Sequence, residues 1–106
     1  MDVTAPNLIN TSVNDITNVS ANISVETDEN SNITIFYGTD EFNLNASEVS
    51  KDGFVTETSI FIDDLQESLK YHYTIQMCDV FGNCANSSIY NFTAIDISAP
   101  ILLQTS

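Results

Sequence analysis

The sequence predicts an all-β domain, seven short strands arranged as a two-sheet antiparallel sandwich. Apolar and polar residues alternate with period two over most of the chain, and no stretch carries the 3.6-residue period of a helix. Clusters of Asp, Asn, Ser and Gly break the alternation at intervals that suit short antiparallel strands. With 106 residues, 42% of them hydrophobic, there is enough apolar surface for one core and not for two.

A first strand is expected at 7–13 and a second at 19–26, where Ala21, Ile23 and Val25 alternate with Asn22, Ser24 and Glu26. Asp28-Glu29-Asn30-Ser31-Asn32 reads as a turn into a third strand at 32–37, with Ile33, Ile35 and Tyr37 inward and Phe36 outward. A fourth strand, 43–49, lies between Gly38-Thr39-Asp40 and Lys51-Asp52-Gly53, and a fifth is expected at 57–63. Tyr71, Tyr73, Ile75 and Met77 place the sixth at 70–78. The turn Asp79-Val80-Phe81-Gly82-Asn83 leads to the seventh, 86–94, with Tyr90 and Phe92 on one face and Ile89 and Asn91 on the other. Gly38, Gly53 and Gly82 are expected in turns that want positive φ.

The ends of the chain match each other. Residues 96–106 repeat residues 2–12 at an offset of 94, with six identities and four close replacements among eleven positions. Such a period marks tandem modules, so 1–95 is expected to be one domain and 96–106 a linker with the first strand of the next copy. Pro100 biases Ala99 to extended backbone, which makes a short, stiff connector.

Fifteen acidic residues face two lysines and no arginine, a formal charge of −13. That field repels phosphate backbones and anionic lipid, which disfavours nucleic-acid binding and electrostatic membrane docking and leaves weak cation binding as its natural outlet. No apolar run approaches the ~18 residues that span a bilayer, and no leader pattern opens the chain, so no direct membrane insertion is expected. Seven Asn-x-Ser/Thr sequons occur, at Asn10, Asn18, Asn22, Asn32, Asn45, Asn86 and Asn91. Composition alone predicts about 2.6, so the excess points to a glycosylated, extracellular, cell-surface protein.

Catalytic patterns are absent. The single histidine, His72, lies between two tyrosines on an alternating strand, and there is no Gly-x-Ser-x-Gly elbow. The pairs Asp28-Glu29, Asp40-Glu41 and Asp63-Asp64 would need a concave cleft to act as glycosidase acids. Asp28-x-Asn30-x-Asn32 begins like a calcium loop, but Ile33 replaces the required glycine and Thr39 the bidentate glutamate. Neither enzyme activity, cofactor nor specific metal site is expected.

The stretch Leu65-Gln66-Glu67-Ser68-Leu69-Lys70-Tyr71-His72-Tyr73 resembles the Leu-x5-Tyr-x-Tyr segment of fibronectin type III domains, whose first tyrosine makes a corner at the start of the sixth strand. Thr27-Asp28-Glu29, Tyr37-Gly38-Thr39, Asp79-x-x-Gly82-Asn83 and Phe92-Thr93 extend the likeness over about 3–95, toward bacterial and archaeal versions of the module. Val25 and Glu67 stand where that family usually has a tryptophan and a proline. The resemblance implies an immunoglobulin-like sandwich and a non-catalytic spacer repeat of a glycosylated cell-surface or surface-layer protein, partnered by neighbouring repeats. Its alternative is an accessory module of an adhesin or secreted hydrolase that binds carbohydrate, glycans or surface proteins. The two cysteines, Cys78 and Cys84, flank the turn 79–83 and are expected to close that hairpin with a disulfide on the outer face, their Cα atoms within ~4.4 to 6.8 Å.

Overall fold

The computed structural model of the chain describes residues 4–96. Seven antiparallel strands form: β1 (Leu8–Asn14), β2 (Ala21–Gly38), β3 (Ala46–Val49), β4 (Val55–Ile62), β5 (Lys70–Cys78), β6 (Cys84–Asn86) and β7 (Tyr90–Thr93). The expected linker and strand at 96–106, Pro100 included, lie outside the described residues beyond Asp96.

The number of strands matches the sequence reading, but three of the expected elements differ. The second and third expected strands are one 18-residue strand, β2. Its first part pairs with β1 and β4, its last part with β3 and β5. A strand that leaves one sheet for the other loses ladder partners in between, and hydroxyls supply them here. Thr27 Oγ1 and Ser31 Oγ donate to the Glu29 carbonyl at 2.7 and 2.8 Å. Thr27 and Ser31 are both buried, so inward parity survives while the chain reverses at Asp28–Asn32, where the turn was expected: both ends of β2 lie at the same end of the sandwich, Ala21 paired with Ile62 and Gly38 with His72.

The expected seventh strand is instead two. Gln76 pairs with Asn86, but Tyr73 pairs with Tyr90, so one extra residue is inserted between β6 and β7, a bulge. Ser87 fills the gap, its N donating to the Ile75 carbonyl at 2.8 Å and its Oγ accepting from Ile75 N at 2.9 Å. The shift flips the side-chain parity and puts Phe92 in the core. The fourth expected strand shrinks to β3, preceded by a bridge between Asp40 and Asn43. Gly38 is likewise corrected. It ends β2 without positive φ, and a Cβ there would meet the Asn43 carbonyl at 3.1 Å, so close approach is what needs glycine. Gly53 and Gly82 have φ of 77° and 87°.

One core lies between the sheets. Ala21, Ile23, Ile60 and Ile62 come from one side, and Ile33, Ile35, Tyr73, Ile75, Met77 and Phe92 from the other. Each fully buried isoleucine contributes roughly 1.5–3 kcal/mol of transfer free energy. Val25, in the position of the usual tryptophan, is buried among them.

Register sets two poles. Leu8 pairs with Thr27, Val55 with Ser31 and Cys78 with Asn32, and Ser50 N donates to the Ile33 carbonyl. The start of β1, the β2 crossing and the connections 50–54 and 79–83 therefore share one end, the N-terminal pole. The connections 15–20, 39–45 and 63–69 and the end of β7 share the other, the C-terminal pole.

Candidate functional site

The β5–β6 hairpin is the most tightly organised surface feature. Asp79 N donates to the Asn83 carbonyl at 2.9 Å, which makes Cys78 and Cys84 a non-hydrogen-bonded cross-strand pair. Such pairs approach most closely. The two Cα atoms are 4.1 Å apart, nearer than the range the sequence reading allowed, and a disulfide joins them. Asp79, almost fully buried, anchors the turn: Oδ1 accepts from Phe81 N and Asn83 N at 2.9 Å each, and Oδ2 from Asn83 Nδ2 at 3.0 Å. The cage leaves the tip outside, with Val80 and Phe81 each 61% exposed.

At the other pole, Gln66 N donates to the Tyr71 hydroxyl at 2.8 Å. This is the tyrosine corner, formed with Glu67 in place of proline. The Tyr71 ring packs on Phe92 with centroids 5.8 Å apart, and Phe92 in turn meets Tyr73. Burial holds the Tyr73 hydroxyl above its ordinary pKa; Tyr37, half-buried, is raised by burial and then by the Glu48 charge.

The seven sequon asparagines fall in different settings. Asn10, Asn45, Asn86 and Asn91 are exposed, whereas Asn18, Asn22 and Asn32 are half-buried. Asn32 Oδ1 is buried with no hydrogen-bond partner, beside the disulfide row. Asn22 sits on the outward side of the central strand of its sheet, between Asn14 and Phe61. Both outer faces thus carry sequons, and none lies in the connections 50–54 and 79–83 or at residues 27–31.

The calcium-loop-like residues at the crossing, Asp28 and Asn32, do not converge. Asp28 is committed to the segment before β1: its Oδ1 accepts from Asn7 N at 2.8 Å, its Oδ2 from Asn7 Nδ2 at 3.1 Å, and its own N donates to the Asn7 carbonyl. These donors hold its carboxyl below the usual aspartate range. Asn32 faces the other sheet's outer surface. Among the described residues, no group of three or more His, Cys, Asp or Glu side chains is placed to hold a metal ion, and no helix is long and apolar enough to cross a membrane.

A shallow groove of about 270 Å³ runs between the edge strands β3 and β4, lined by Glu48, Lys51, Asp52, Phe61 and Asp63 among others. It is smaller than the ~300–1,000 Å³ typical of ligand sites. Asp52 is used inside the protein, accepting from Thr58 Oγ1. His72 is half-buried on the outward parity of β5, opposite Asn91. The outward apolar residues Phe36 and Ile89 do not adjoin as paired neighbours, since Phe36 pairs with Thr74 and β5 lies between the two.

These features define an immunoglobulin-like two-sheet sandwich with a tyrosine corner and a disulfide-closed hairpin. More narrowly, the chain has the fibronectin type III fold. It superposes on a myokine structure with a TM-score of 0.69, at 19% identity over 88% of this chain and 100% of that one. It superposes on the fibronectin type III domain of human fibronectin type III domain containing protein 3 with a TM-score of 0.63, at 15% identity over 96% and 94% of the two chains. The sensor domain of an anti-sigma factor from Pseudobacteroides cellulosolvens gives 0.57, at 22% identity over 90% and 92%. No protein-family model and no curated protein matches the sequence.

Proposed function

We propose that the chain is a non-catalytic spacer repeat of a glycosylated cell-surface or surface-layer protein. The observation that carries this reading is the placement of the chain ends. The segment before β1 is clamped to Asp28 at one pole, while Ile95 N donates to the Thr17 carbonyl at 3.0 Å at the other. A module entered at one end and left at the opposite end extends an array by its full length. The 94-residue period supplies the array. Both outer sheet faces carry sequons and the N-terminal connections 50–54 and 79–83 carry none, while Asn18 and Asn45 lie in connections of the C-terminal pole; a small groove with its Asp52 engaged offers little for catalysis.

Protease shaving of intact source cells followed by glycopeptide mass spectrometry tests this. Peptides of this module should be released, with glycans concentrated on the exposed Asn10, Asn45, Asn86 and Asn91 and sparse on Asn32. Recovery only from the cytoplasmic fraction, unglycosylated, overturns it. The second reading, an accessory carbohydrate-binding module, draws on Phe61 beside the carboxylates of Glu48 and Asp63 in the groove. It requires that oligosaccharides shift the amide signals of β3 and β4.

A further inference from the structure

Ile9, Val49, Phe61 and Ile89 are exposed apolar residues scattered over the sheets, and the two poles carry the others. At the N-terminal pole, Phe54 is 45% exposed, and Val80 and Phe81 form the tip of the caged hairpin. At the C-terminal pole, Phe42 is 90% exposed, and Val19, Leu69 and Ile95 are also exposed. A disulfide and three hydrogen bonds accepted by the Asp79 carboxylate hold an apolar tip in one place. Preorganisation of that kind lowers the entropy cost of a contact.

We infer that the N-terminal pole is a seat for the C-terminal pole of the preceding copy of this module, so that consecutive copies touch end to end through Val80, Phe81 and Phe54 on one side and Phe42 and Leu69 on the other. This rests on the tandem reading above and names the surface it uses. The length of the joining chain selects the occupant. Ile95 is held to the C-terminal pole, and Ile101 takes the place of Asn7, which is held at the N-terminal pole. Six residue steps span at most ~20 Å when fully extended. The following copy therefore has its N-terminal pole within that distance of this copy's C-terminal pole. The hairpin and 50–54 carry no sequon, while Asn18 and Asn45 lie in the connections of the facing C-terminal pole.

Charge opposes the contact and makes it conditional. Asp28, Glu29 and Asp52 at one pole, offset by Lys51 alone, meet Asp40, Glu41, Asp63 and Asp64 at the other, a junction of net like charge. Screening shortens the reach of that repulsion from ~30 Å at 0.01 M salt to ~8 Å at physiological ionic strength. The junction is thus expected to close with salt, the opposite of an ion-paired interface.

The test is a tandem chain, residues 2–95 followed directly by 2–106, expressed without glycans and measured by residual dipolar couplings. At 0.15 M salt and above, the two copies should share one alignment tensor, and at 0.01 M the tensors should diverge severalfold. Val80→Ser with Phe81→Ser in the second copy should release the junction at all salt concentrations. The same pair in the first copy, whose N-terminal pole faces no neighbour, should leave it closed and reports any effect on folding alone. Independent tumbling of the unmodified tandem at 0.15 M, or a junction that survives the second-copy substitutions, overturns the inference. Neither result touches the cell-surface location on which the spacer reading stands.

Discussion

The two poles of the sandwich are held by opposite means. The β5–β6 hairpin at the N-terminal pole is closed covalently, yet its disulfide lies on the outer face and its tip residues are exposed. The β4–β5 connection at the C-terminal pole has no covalent link: Leu65 N donates to the Val19 carbonyl, Ser68 N to the Ala94 carbonyl and Gln66 N to the hydroxyl of Tyr71, whose ring belongs to the core and stacks on Phe92. Bond strength does not rank the two devices. What ranks them is how much core each controls and how much chain entropy each removes. The corner ties a connection to buried apolar area, whereas the disulfide constrains only a short loop that nothing in the core depends on.

Breaking the corner by Tyr71→Ala should have the largest effect, about 3–5 kcal/mol, because it leaves a cavity beside Phe92 and strips the partner from Gln66 N. Urea denaturation measures it. A loss smaller than that from removing the disulfide would reverse the ranking. Next comes Cys78→Ser with Cys84→Ser. For a closed loop of seven residues the chain-entropy relation gives about 2.4 kcal/mol. Amide exchange should accelerate at residues 80–83 and stay unchanged at Ile75. Acceleration throughout β5 would mean that the bridge supports the core after all.

Tyr71→Phe sharpens the comparison by removing the hydroxyl and keeping the ring. It should cost about 1 kcal/mol, the net value of one hydrogen bond, so most of the alanine effect is packing. The smallest effect is expected at the Asn7–Asp28 clamp. The folded carboxyl of Asp28 titrates below its unfolded value, so its contribution is present above the ordinary aspartate pKa of ~3.9 and disappears as pH falls through the lower folded value. Falling pH also relieves the repulsion of a −13 chain, an effect of opposite sign. Melting temperatures of the protein and of Asp28→Asn should therefore differ at pH 6 and converge below pH 3. A constant gap across that range would remove the clamp's carboxylate from the account.

Much of the candidate site was legible because it is local. Cys78 and Cys84 flank a five-residue turn with a glycine able to take positive φ, and Leu65 with Tyr71 and Tyr73 marks the corner without any knowledge of pairing. The caging role of Asp79 was missed, although Asp at the first position of a turn is its ordinary signal. The turn expected at Asp28–Asn32 is present, but the polar cluster gave no sign that the strand continues through it as the chain passes from one sheet to the other. The bulge at Ser87 did leave a trace. Cys84 and Asn91 cannot both face outward on one uninterrupted strand, since they are seven residues apart, and an extra residue is the remedy.

By itself the sequence determined the buried faces of the second, third, sixth and seventh expected strands, the hairpin that the cysteines close and the match between the two ends of the chain, since each depends on spacing along the chain. Only the tertiary structure decided which strands pair, that β2 serves both sheets, which sequon asparagines stand clear of their neighbours and which connections share a pole. Alternation with period two specifies a face, but it is silent about the partner across the ladder. That partner is selected by register over tens of residues, where backbone hydrogen bonds and the packing of two distant faces are satisfied together.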